Sequence, residues 1–124
     1  MISGNPKIIS VVFYRSDGGS EPVRDWLNSL EKEGKRAVGY DIKTVEYGWP
    51  LGMPLVRTIT NYDRLWEVRI KLSGGRIARV CFTVHQHRMV LLHGFIKKTQ
   101  KMPQSELKLA DKRRREVERG NSDG

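Results

Sequence analysis

Glu67, Arg69 and Arg79 are the residues whose types and spacing could do chemistry together. A guanidinium grips a phosphate through two parallel hydrogen bonds, and a carboxylate beside it can take a proton. Lys71 and Arg76 flank this group, and a second cationic run, Lys97, Lys98 and Lys101, follows the apolar MVLL and His93. His93 is an acid or base by type, or a core histidine with a satisfied hydrogen bond. His85-Gln86-His87 has ligand-like spacing but no third candidate nearby, and Cys81 is alone, so neither a metal centre nor a disulfide is expected. There is no phosphate-binding glycine loop and no Ser/His/Asp set, and no cofactor is expected.

The charge balance supports a polyanionic partner. The chain has 124 residues and a formal net charge of +9. Residues 1–63 carry eight Lys/Arg and eight Asp/Glu, whereas residues 64–124 carry fifteen and six, so all the excess lies in the second half. The bland reading is a solvated basic surface. Segregation on this scale favours a footprint for nucleic acid or an acidic protein. No apolar run is long enough to span a bilayer and residues 1–20 lack a signal-peptide layout, so a cytoplasmic protein without membrane contact is expected. The length suits a single domain, assigned to residues 1–119, with a disordered tail at 120–124.

These side chains need elements to position them. IISVVFY (8–14) is β-branched and aromatic, hence a strand. Pro22 suits a first helical turn, and Val23, Trp26, Leu27 and Leu30 form one helical face that Gly34 should end. Val38, Ile42 and Val45 continue a second helix towards Gly48, completing an αα-hairpin. WPLGMPLVRTITNYD, with two prolines and a glycine, reads as a connecting loop. From Leu65 the period becomes two, through LWEVRIKL, RIARVCFTV and the doubly apolar MVLLHGF. QSELKLADKRRREVE is a basic helix with a thin stripe of Leu107, Ala110 and Val117. The fold class is therefore α+β: an N-terminal strand, a helical hairpin, an antiparallel three-stranded meander and a C-terminal basic helix.

Register decides where the charges go. A two-residue Gly74-Gly75 turn would put an arginine on the core face. A three-residue Ser73-Gly74-Gly75 loop pairs Ile70 with Ala78, Val68 with Val80 and Trp66 with Phe82, keeping that face apolar. Arg69 then lies directly opposite Arg79, an arrangement that destabilises a sheet unless something anionic arrives. Either the two guanidiniums await a phosphate, or Glu67 pairs with one of them and the face is ordinary solvated surface. Loss of either arginine should spare the fold and relieve repulsion.

RLWEVRIKLSGGRIARVCF followed by MVLLHGFIKKTQKMP resembles toxins of the RelE/ParE superfamily, specifically its HigB-like, phage-derived branch. The resemblance extends in element order from Ile8 to Val117. It implies a RelE-like toxin of a type II toxin-antitoxin system, neutralised by a helix-turn-helix antitoxin. RelE-like members cut messenger RNA on the ribosome, using the RNA 2′-hydroxyl as nucleophile and no metal. By position Arg69 and Arg79 match cationic sheet residues of that site, and Lys98 a basic residue after the last strand. Glu67 stands where RelE has a lysine, and residues 104–124 lack the tyrosine some relatives carry. The expectation is an endoribonuclease with Glu67 as proton acceptor and Lys98 or His93 as donor. Arg69 and Arg79 would hold the phosphate, with Lys71, Arg76, Lys97 and Lys101 along the RNA backbone. The alternatives are a ParE-like, non-enzymatic inhibitor of DNA gyrase and a basic nucleic-acid-binding module.

Overall fold

In the computed structural model, which describes residues 6–97 and 103–120, the chain is α+β with one mixed sheet and three helices. The elements run β1 (Ser10–Phe13), α1 (Pro22–Ser29), α2 (Lys32–Gly48), β2 (Val56–Thr58), β3 (Trp66–Lys71), β4 (Ile77–His85), β5 (Arg88–Lys97) and α3 (Gln104–Glu118). The sheet has five strands in the order β1-β5-β4-β3-β2, not three. Two segments outside the expected meander account for the difference. The N-terminal strand joins β5 in parallel, Val12 opposite Val90, and Val56–Thr58, expected as loop, adds to the far edge against β3. The β5 strand is thus central, as its doubly apolar sequence requires.

The helical hairpin forms, but its break precedes Gly34. Leu30 is extended (φ −78°, ψ 152°) and caps α1, while Gly34 lies buried inside α2. A glycine ends a helix only where the chain turns left-handed, and here the chain continues helically. Ser73–Gly75 forms the three-residue 3-10 connection, with Gly74 (φ +75°) and Gly75 (φ +76°) in the left-handed region that glycine tolerates. The β3/β4 register is the one that keeps the core face apolar: Trp66 opposite Phe82, Val68 opposite Val80, Ile70 opposite Ala78 and Arg69 opposite Arg79.

Both faces of the sheet are covered in part. On one, Val68, Ile70, Val80, Phe82 and Leu91 pack against Val23 of α1 and Val38, Ile42 and Val45 of α2. Trp49, Trp66 and Phe82 close that core as ring pairs with centroids 5.1 to 5.9 Å apart. The Trp26 ring lies so close over Gly94 that no Cβ fits between them. On the opposite face, Cys81, Val90, Leu92 and Phe95 meet Leu107, Ala110 and Val117 of α3. This helix packs on β4 and β5, leaving the β3 half of its face to polar side chains.

Polar bonds fix α3 at several points. The Tyr14 hydroxyl donates to Glu116, Arg113 donates to the Leu92 carbonyl at 2.8 Å, and Arg64 donates twice to Glu118 at 2.7 and 3.0 Å. Buried Arg114 spans Asp111 and Glu118 within the helix. The basic run of α3 is therefore partly consumed in holding the helix. No helix among the described residues is long and apolar enough to cross a membrane.

Candidate functional site

The β3/β4 register arranges the odd-numbered residues of the α3 face in rows. Lys71, Ile77 and Lys97 form the outermost row, and Arg69, Arg79 and Phe95 the next. Arg57, Glu67, Cys81 and His93 form the third, Arg57 being supplied by β2. Four cations, Arg57, Arg69, Arg79 and Lys97, thereby stand around one carboxylate, Glu67.

Glu67 is fully buried (0 % exposed) and Arg79 nearly so (4 %). The Arg79 Nη1 donates to Glu67 Oε1 in a short ion pair, and Arg57 Nη2 donates to the same oxygen at 3.2 Å. Glu67 Oε2, Arg69 Nε and Arg79 Nε are buried without a hydrogen-bond partner among the described residues. Burial pulls the Arg79 pKa down; the Glu67 charge opposes this, and the Arg69 and Arg57 charges add to it. The Lys97 pKa is also lowered, by burial first and then by the charge of Arg79, with smaller pushes from Arg57 and Arg69. The group thus carries unbalanced positive charge and unused donors, which an anion would relieve.

The sequence-derived candidates separate in space. Arg69, Arg79, Glu67 and Lys97 share one patch, with Lys71 exposed at its rim. Arg76 is drawn away to Glu31, between the two hairpin helices, at 2.8 Å. His93 is on the patch's face but under α3, its Nε2 2.7 Å from Glu106 Oε1 and its ring stacked on Phe95. Lys98 and Lys101 lie outside the described residues. Burial and nearby carboxylates push the Cys81 thiol far up, which leaves it inert as a nucleophile.

Sequence reasoning missed Arg57. The run VRTIT, 56–60, carries β-branched residues at every position but the arginine, a strand signal hidden by the prolines before it. Because β2 is short, β3 is the sheet edge beyond Leu55, whose carbonyl accepts the Arg69 amide at 2.9 Å. Around that edge runs a cleft of ≈ 530 Å³ whose lining includes Ala37, Tyr40, Pro54, Leu55, Arg69 and Lys71.

No curated protein matches this chain. Residues 25–115, from α1 through most of α3, match the model of the family described as Phage derived protein Gp49-like (DUF891). With most of its length covered by that match, the chain belongs to the Gp49-like phage-derived family, a RelE-like toxin family.

Proposed function

We propose that this protein is the toxin of a type II toxin-antitoxin pair, of the HigB-like kind, and that it cleaves messenger RNA on the ribosome. The observation that carries the reading is the convergence of Arg69, Arg79, Arg57 and Lys97 on one partly buried patch with a single carboxylate among them. In RNA cleavage of this type the 2′-oxygen attacks the adjacent phosphorus and loses its proton to a base. The P–O5′ bond then breaks as the leaving oxygen gains a proton, giving a 2′,3′-cyclic phosphate. Negative charge grows on the non-bridging oxygens throughout. Fixed cations in a water-poor site stabilise such charge far better than they would in water. Arg69 and Arg79 are direct partners across the ladder, and each guanidinium is a type of group that can grip phosphate oxygens.

Charge stabilisation is the part of the chemistry these residues supply most directly. For the proton transfers, His93 is bonded to Glu106 and Glu67 is occupied by two guanidiniums, while Lys98 remains a candidate from its place after β5. The cleft beside Arg69 and Lys71 has room for a nucleotide neighbouring the bound phosphate. A cognate antitoxin fits the family and would neutralise the chain by covering this patch.

Adding the purified protein to a translating extract tests the reading. New 5′ ends should appear within the translated frame of a reporter message, and blocking initiation should remove them. Intact messages with inhibited gyrase supercoiling would replace this reading with the ParE-like one. Intact messages and unaffected gyrase would leave a binding module.

A further inference from the structure

We infer that Glu67 is a positioning residue rather than the proton acceptor, and that it holds Arg57 and Arg79 together as two arms of one phosphate-binding clamp. The kinetic side of this inference rests on the nuclease reading, whereas the binding side needs only the geometry. A general base must come within hydrogen-bond reach of the hydroxyl it deprotonates. Glu67 is 0 % exposed, and its Oε1 already accepts from both Arg79 Nη1 and Arg57 Nη2. Its Oε2 is buried as well. A substrate hydroxyl could reach Oε1 only by displacing an arginine, and Oε2 only by opening the packing that buries it.

The same contacts are what a clamp requires. Arg57, Arg69, Arg79 and Lys97 repel one another, and Glu67 is the counter-charge that lets Arg79 sit 4 % exposed among them. Glu67 lies beside Arg57 across the β2/β3 ladder and one row from Arg79, so a single oxygen fixes guanidiniums supplied by two different strands. A guanidinium has five N–H donors. Arg57 commits one of its nitrogens to Glu67 while its side chain remains 43 % exposed, which leaves donors for a phosphate. Arg57 is thus a third phosphate-gripping arginine beside Arg69 and Arg79, and the carboxylate tethers it in place.

The test has a binding arm and a kinetic arm. In the first, a short 2′-O-methyl oligoribonucleotide, which lacks the nucleophile and cannot be cut, is titrated at several salt concentrations. Removing one phosphate contact on a single strand should flatten the log K against log salt slope by about 0.7. Arg57→Ala should do so and weaken binding several-fold, and Arg57→Lys should restore much of the slope. An unchanged slope in Arg57→Ala would overturn the clamp, whether or not the protein cuts RNA. In the second arm, message cleavage on ribosomes is followed against pH. Glu67→Gln should lower kcat by roughly 10- to 100-fold through misplaced arginines, yet keep the acid limb of the native profile. Loss of that limb with KM unchanged would make Glu67 the base and overturn the inference. Absence of cleavage by the native chain would sink the nuclease reading alone, with the salt slope still deciding the clamp.

Discussion

Arg69 and Arg79 look equivalent in the sequence, but their removal should have opposite effects on stability. Arg79→Ala strips a buried carboxylate of its main partner. Glu67, with 0 % exposure, would retain only the Arg57 contact at 3.2 Å, from a side chain that is itself half in water. Breaking a buried pair by deleting one member costs about 3–5 kcal/mol, because the survivor keeps its desolvation penalty. For a chain of this size that is roughly 3–5 °C per kcal/mol, hence a melting point lower by about 10–25 °C. Arg69→Ala, by contrast, removes a cation with no ion-pair partner among the described residues and relieves its repulsion with Arg79. The expected change is a gain of a few tenths of a kcal/mol. This corrects the simpler expectation that loss of either arginine spares the fold. The assay is urea and thermal unfolding of both variants, with Glu67→Leu/Arg79→Met as the double replacement, which should recover most of the loss. If Arg79→Ala melted within about 2 °C of the native chain, the buried Glu67–Arg79 pair would not have the role argued for it.

Other consequences are quicker to state. Gly94→Ala drives a methyl into the Trp26 ring and should cost about 1–3 kcal/mol, read by chemical denaturation, with Gly18→Ala, in open space, as the neutral control. The Tyr14 phenol, pushed up to about 12 by burial and by its bond to Glu116, stays protonated in the folded chain while the unfolded chain ionises near its ordinary 10.0. Stability should therefore be unaffected by this group below pH 10 and fall as pH rises from 10 towards 12, and Tyr14→Phe should remove that part of the alkaline loss. Arg69→Ala should abolish growth arrest on induction while its melting point holds, and full toxicity in this stable variant would remove the patch from the active centre.

Much of this arrangement can be read in the sequence because period-two alternation is strict exactly where register matters. Trp66, Val68 and Ile70 can face Ala78, Val80 and Phe82 only if the loop has three residues, and that choice alone sets Arg69 against Arg79. Alternation cannot show what covers the other face. Glu67 and Cys81 alternate with core residues as solvent-facing positions would, yet both are buried, Cys81 against α3 and Glu67 beside β2. A short edge strand leaves almost no periodic signal, so Val56–Thr58 passed for loop and Arg57 with it. The helix break at Leu30 escaped notice for a related reason: nothing in its residue type marks an extended cap, whereas Gly34 advertises a stop that the helix does not use. Lys98 and Lys101, prominent in the sequence, lie outside the described residues.

The central claim is that the arginine patch cuts translated messages, and transcript ends mapped from one induced culture test it most directly. Within minutes of inducing the native chain, new 5′ ends should accumulate inside translated frames, while plasmid supercoiling stays unchanged. The stable Arg69→Ala variant, induced in parallel, should yield neither the ends nor the arrest. Intact transcripts with disturbed supercoiling, or cleavage that persists undiminished without Arg69, would contradict the account.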